Sequence, residues 1–356
     1  FIFAGYSVSE DNRLAAYASN TTGSSVLFNL KIRDLNTGND LEEFIPGISS
    51  FVWANDNRTL FYTTLTPALR PDRVYRHTVG SSDPDQLVFE EPDELFNVDL
   101  TKSRTKAWIF ISSSSFNTSE YRMIPAADPL EQPIVFLPRV KDVDYEVQHH
   151  DSCFYVRYKT RDLLNGKIFK MPLTGYCDST TWETVVEHDQ AVKIQGYAVY
   201  HKFVGLFVRT GGLNEIRIFY PASAETHTVT FPEPVYAVFP SPGPEYHSSS
   251  FRYNYSSLNR PQTIYDFDIN AKTSMVLKEQ EIPGGFNPAE YRVERMWGTS
   301  ADGVKVPMAV VYKKSLKRDR SNPALLEGYG SYGNSTDATF RVNIFSLVDR
   351  GYVYGI

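Results

Sequence analysis

From Phe1 to about Pro283 the chain reads as strand-length apolar segments separated by polar turns. One recurring segment runs into a turn, most plainly Leu30-Lys31-Ile32-Arg33-Asp34-Leu35-Asn36-Thr37-Gly38, with counterparts at residues 74–80, 121–128, 168–175, 216–222 and 264–270. With Asp34, His77, Ile124, Met171, Phe219 and Phe267 as markers, the steps are 43, 47, 47, 48 and 48 residues. The other recurring segment is an apolar strand, a turn and a second apolar strand. It is clear at residues 6–17 around Asp11-Asn12 and at residues 52–62 around Asn55-Asp56-Asn57, and weaker near Lys102, His149, His201 and Pro242. A hairpin flanked by two more strands at this period predicts four-stranded propeller blades, about six of them. No stretch here keeps a 3.6-residue apolar period over ten residues, which argues against a helical solenoid.

The pattern changes after Gly284-Gly285. Residues 291–299 and 304–312 are strand-like and joined through Ala301-Asp302-Gly303, a hairpin signal. In the second strand Val304, Val306, Met308, Val310 and Tyr312 alternate onto one face. A charged, solvated loop is expected at residues 313–320, then a buried strand at Ala324-Leu325-Leu326 and the glycine-rich turn Gly328-Tyr329-Gly330-Ser331-Tyr332-Gly333. Residues 338–350 predict a helix, with Phe340, Ile344, Leu347 and Val348 on one face, Thr336 or Asp337 as its cap and Gly351 as its end. Hairpin, strand, turn, helix, strand is how an α/β sheet begins. The chain is therefore expected to be mainly β, with a propeller over residues 1–285 and the start of an α/β domain over residues 286–356.

Composition narrows the function more than the fold. At 356 residues two domains are expected, and the 14% aromatic content suits strands. A net charge of −6 lacks the basic surface that displaces counterions from phosphates, so nucleic acid is not an expected partner. No apolar run is long enough to span a bilayer, and no membrane association is expected. The two cysteines, Cys153 and Cys177, fit no metal-ligand spacing; they read as free thiols of a cytoplasmic protein, although the loop between them could close. His149-His150-Asp151 reads as a polar turn, and neither metal nor cofactor is expected. The serine clusters at residues 112–115 and 248–250 carry no pattern that would activate a nucleophile.

The run Tyr291-Arg-Val-Glu-Arg-Met-Trp-Gly-Thr-Ser-Ala-Asp-Gly-Val-Lys-Val-Pro-Met-Ala-Val-Val-Tyr312, with Gly328-Tyr-Gly-Ser-Tyr-Gly333 and Val348-Asp-Arg-Gly-Tyr352, resembles the entry to the catalytic domain of the prolyl oligopeptidase family, on its oligopeptidase B side. Trp53-Ala-Asn-Asp-Asn57, Ala68-Leu-Arg-Pro-Asp-Arg-Val-Tyr-Arg-His77 and Phe231-Pro-Glu-Pro-Val-Tyr236 resemble propeller segments of the same enzymes. The resemblance implies a seven-bladed propeller joined to an α/β-hydrolase domain. It places one blade before Phe1 and the Ser, Asp and His of the triad after Ile356, and both ends of the sequence are expected to be cuts within strands. No Gly-x-Ser-x-Gly occurs, and the last histidine is His247.

By the same resemblance Tyr329 would donate its phenolic O–H to the oxyanion, and Asp337 would help to bind a basic side chain next to the scissile residue. Taken alone, Tyr329 is a tyrosine in a glycine-rich turn and Asp337 a helix cap; those readings stay open. Thr339 and Glu327 depart from the family pattern, which often has an acid at the first position and usually an aromatic residue at the second. The implied activity is hydrolysis of short peptides after Arg or Lys by a serine-type endopeptidase, with the propeller limiting substrate size and this stretch alone inactive. Cleavage after proline, or a non-catalytic propeller that binds a protein partner, are the alternatives.

Overall fold

Each of the six marker residues falls on the third strand of an antiparallel four-stranded meander. The computed structural model describes residues 1–317 and 319–356, so Arg318 of the expected charged loop lies outside the described residues. The chain divides into the units Phe1–His188 and Asp189–Ile356.

The first unit holds four meanders. Strand Asp40–Trp53 runs for 14 residues and closes the first while opening the second, so that seven strands join in one sheet. Its pairing shifts between Ile48 and Phe51, and Gly47 just before takes φ +67°, a conformation a side chain would strain. The third meander comprises Asn97–Lys102, Trp108–Ser114, Ser119–Pro125 and Ile134–Val135; the fourth comprises Asp144–His150, Cys153–Lys159, Lys167–Pro172 and Glu183–Val186.

The cores lie between successive sheets. Val98, Leu100, Ile109 and Ile111 of the third meander pack with Ala54, Phe61 and Val74 of the second. From the same strand as Ile109, Phe110 turns the other way and packs with Tyr145, Phe154 and Val156 of the fourth. A middle strand buried on both faces must be apolar at consecutive positions, which explains the unbroken run Trp108-Ile109-Phe110-Ile111. The hairpin turns repeat as well: Asn12, Asn57 and Lys106 stand at φ +60°, +59° and +61° at matching points of three meanders. Asn tolerates that region better than most residues.

The second unit holds two further meanders and one mixed sheet. Val192–Val199, Val204–Thr210, Leu213–Tyr220 and Glu225–Thr228 form the fifth, and Ala237–Pro240, Ser250–Ser257, Arg260–Asp268 and Thr273–Glu279 the sixth. Between them Ile216 and Ile218 meet Val238, Phe251 and Tyr253. In the mixed sheet Tyr291–Thr299 pairs antiparallel with Lys305–Lys313, which pairs with Val353–Gly355; the last is parallel to Ala324–Leu326. Val235 and Leu258 of the sixth meander share a core with Tyr291, Val311, Phe345 and Tyr354 of this sheet.

The structure corrects three expectations. The helix expected at residues 338–350 shrinks to a 3-10 turn, Val342–Ile344, and one α-turn, Phe345–Val348, capped by neither Thr336 nor Asp337. Thr339, Phe340 and Val342 are poor helix formers, and the Asp337 carboxylate is bound elsewhere. Gly351 does end the turn, at φ +95°. Strand Ala324–Leu326 forms as expected but lies at the sheet edge and is exposed. Along residues 304–313 burial follows position along the strand rather than face: Val304 and Val306 are exposed, while Ala309, Val310, Val311 and Tyr312 are all buried. His149 lies in a strand rather than a turn. It is buried beside Trp108 and Phe154, with Nδ1 2.6 Å from Thr105 Oγ1.

Two tests follow from the packing. A methyl group on Gly205 would overlap the ring of Phe251. Gly205→Ala should cost about 1–3 kcal/mol in urea denaturation, and adding Phe251→Leu should recover part of it. Burial pushes the His149 pKa down to about 4, against the pull of Asp151. The unfolded chain therefore binds the extra proton between its own value, about 6.5, and 4. Stability should be full above pH 6.5 and fall as the pH drops towards 4. His149→Gln should shrink the fall in melting temperature between pH 7 and 4.5.

Candidate active site

The glycine-rich turn follows the edge strand Ala324–Leu326 directly and is fastened at its root. The Glu327 amide donates to the Gly355 carbonyl (2.9 Å), which extends the parallel pairing by one step. The Glu327 carboxylate accepts from Arg341 Nη2 (2.6 Å) and from the Tyr354 hydroxyl (2.9 Å), and Arg341 also bonds the Tyr354 hydroxyl. The Arg341 bond, with that of Tyr354, holds the Glu327 carboxyl below its usual range. Burial, reinforced by the adjacent carboxylate, pushes Tyr354 up to about 12. The position where the family usually has an aromatic residue is here an ionic clasp joining the start of the turn, the segment after it and the next strand. Beyond it Ser331–Gly333 forms a 3-10 turn with Tyr332 at φ +57°.

The turn borders a cavity of about 580 Å³ within the second unit. Tyr329 and Asp337 both line it, so the structure brings the two sequence-predicted residues to one site. Tyr329 is 60% exposed. Asp337 is mostly buried and already engaged: Arg209 Nη2 donates to its Oδ1 at 2.8 Å, and Asn214 Nδ2 donates to the same oxygen at 3.3 Å.

These partners come from a hairpin of the fifth meander. Thr210 pairs with Leu213 across the two-residue turn Gly211-Gly212, where φ is +55° and +88°. Two consecutive positive φ values define a type I′ turn and explain the Gly-Gly pair. The turn also supplies acceptors: the Gly212 carbonyl takes Arg209 Nη1 (3.2 Å) and the Gly211 carbonyl takes Arg295 Nη2. Arg295 lines the cavity with its guanidinium 4.8 Å from the Trp297 ring centroid. Sequence reading missed Arg209, Asn214 and Arg295. The Gly-Gly turn was a local signal that something is placed precisely there, but nothing local ties Arg209 to a residue 128 positions later.

Chemically the cavity offers two phenols, two guanidinium groups and two carboxylates. That set can polarise and orient a substrate, but it includes no activated nucleophile. Among the described residues no group of three or more His, Cys, Asp or Glu is placed to hold a metal ion. No described helix is long and apolar enough to cross a membrane.

Blade-length meanders leading into a strand, a glycine-rich turn, a helical turn and a parallel strand define a propeller protein that enters an α/β-hydrolase fold. The chain belongs to the prolyl oligopeptidase family of serine peptidases: residues 1–280 match the model described as "Prolyl oligopeptidase, N-terminal beta-propeller domain". It is 34% identical over 355 residues to dipeptidyl aminopeptidase BI of Pseudoxanthomonas mexicana, covering 99% of this chain and 48% of that protein. It is 29% identical to protease 2 of Moraxella lacunata, covering 97% of this chain and 49% of that protein. Among solved structures it is similar to oligopeptidase B of Leishmania major, with a TM-score of 0.93 and 27% identity over all of this chain and 51% of that one. It is also similar to oligopeptidase B of Trypanosoma brucei with covalently bound antipain, with a TM-score of 0.91 and 28% identity over all of this chain and 51% of that one. The chain thus spans about half the length of the relatives it matches.

If the clasp fastens the turn, Arg341→Met should leave Glu327 and Tyr354 without their shared partner. Limited proteolysis should then cut within residues 328–333 several times faster, while the remaining cleavage pattern stays as in the wild type.

Proposed function

We propose that this chain is the propeller and the first part of the catalytic domain, meeting near residue 285, of a serine oligopeptidase that hydrolyses short peptides after Arg or Lys. The nucleophilic serine, the acid and the histidine are supplied by the catalytic domain beyond the residues given, and the protein works in the cytoplasm. The observation that carries the reading is the place of Tyr329: on the first turn after a parallel-paired strand, at a cavity, in a chain similar along its whole length to oligopeptidase B. In acyl transfer the carbonyl oxygen gains negative charge as the serine attacks, and a donor aimed at that charge lowers the barrier. Tyr329 supplies its O–H to that oxyanion, beside the backbone N–H after the serine. The tetrahedral intermediate then expels the amine product as the C–N bond breaks, leaving an acyl-enzyme that water hydrolyses. Asp337, in the same cavity, faces the residue next to the scissile one.

The dipeptidyl name of the relative at 34% identity motivates a second reading, in which a free N-terminus two residues before the cut is required. Blocked and unblocked fluorogenic peptides ending in Arg separate the two, because an endopeptidase cleaves both.

The test uses the whole protein that contains this chain. It should hydrolyse Arg- and Lys-ended substrates and be inactivated by antipain, the compound bound covalently in the Trypanosoma brucei relative. Tyr329→Phe should lower kcat by about 10²–10³ with little change in KM. An unchanged kcat would remove Tyr329 from the oxyanion site, and a protein inert to peptides and antipain alike would favour the non-catalytic propeller.

A further inference from the structure

Both carboxylates that line the cavity are already paired with guanidinium groups. Asp337 binds Arg209 at 2.8 Å and Glu327 binds Arg341 at 2.6 Å, while Arg295 adds a further positive charge to the lining. The first pair is the more sheltered, its side chains only 14% and 18% exposed. Arg209 also donates to the Gly212 carbonyl, so it is braced at two points, by Asp337 and by the fifth-meander hairpin. A basic side chain entering the cavity finds no carboxylate without a cation, and would have to displace Arg209 or lie beside it. At a few ångströms in a poorly solvated site, like charges repel by more than the thermal energy.

We propose that Arg209 is the specificity-determining residue of this subsite, making it accept a neutral or acidic side chain next to the scissile residue and disfavour a second basic one. This rests on the peptidase reading above and reverses the role that the Asp337 position alone would suggest. Arg209 occupies the place of the basic side chain, as a counter-ion built into the chain. Thr339 fits the same logic, because the second acid that would restore an unpaired carboxylate is missing. The positioning is mutual: Arg209 and Asn214 hold Asp337, and Asp337 holds the Arg209 guanidinium at the cavity wall.

The experiment compares kcat/KM of the whole protein for fluorogenic Xaa-Arg amides with Xaa as Lys, Gln or Glu, N-terminally free and blocked. The wild type should prefer Gln and Glu over Lys by roughly tenfold or more, the size of one partly desolvated charge interaction. Arg209→Gln keeps a donor for Gly212 but releases the Asp337 carboxylate, and should turn the preference towards Lys. Asp337→Asn should instead strengthen the preference for Glu, and the double variant should show little charge preference. Arg209→Lys should keep the wild-type order. A purely structural clasp would change all three substrates alike, together with the melting temperature, and that result overturns the proposal, as does a wild type that prefers Lys. Should Arg209→Gln not fold, the Asp337→Asn ratio decides by itself. If no peptide is cleaved, the peptidase reading falls and the subsite is read by calorimetric titration with the dipeptide Lys-Arg amide. Arg209→Gln should then bind it roughly tenfold more tightly than the wild type, and equal affinities refute the assignment.

Discussion

The architecture depends on apolar layers squeezed between successive four-stranded sheets. A twisted antiparallel sheet of four strands cannot bury enough surface by itself, so within each unit successive sheets pack face to face. Ile109 and Ile111 serve one layer while Phe110 between them serves the next, and Ile216 and Ile218 meet the sixth meander as Ile109 and Ile111 meet the second. Within the second unit the same device recurs with a different partner: Val235 and Leu258 of the last meander pack with Tyr291, Val311 and Phe345 of the mixed sheet. The change from propeller pattern to α/β pattern at Gly284-Gly285 therefore crosses a shared core.

The candidate site is a consequence of that packing. A loop rich in glycine has little intrinsic order, and here its geometry is imposed from outside. The parallel pairing of Ala324–Leu326 with Val353–Gly355 sets where the loop starts, and the Glu327–Arg341–Tyr354 clasp sets how it leaves the sheet. The Gly211-Gly212 hairpin carries Arg209 to Asp337 on the far side of the same cavity. Charges that would be of little consequence on an open surface acquire weight because they are partly withdrawn from water.

Ionic pairing also alters what a family motif means. The carboxylate of Asp337 stands where the resemblance places a ligand for basic side chains, yet its chemistry is set by the guanidinium 2.8 Å away. A sequence motif specifies which groups are present. The charge that a substrate meets depends on the partners those groups have already taken.

Much of this protein was legible in the sequence. The steps between Asp34, His77, Ile124, Met171, Phe219 and Phe267 located the third strand of all six meanders, because strand and turn chemistry is local and repeats with the blade. The Gly-Tyr-Gly-Ser-Tyr-Gly turn, the Ala301-Asp302-Gly303 hairpin and the stop at Gly351 were legible for the same reason. The tertiary structure alone decided which part of Lys305–Lys313 is covered, since alternation tells which side chains point together and not what lies above them. It also decided that His149 is buried, that residues 338–341 stay irregular, and that Asp337 answers to Arg209. Each of these turns on a partner distant in the chain, and no local pattern of residues encodes the distance between two segments that meet only on folding.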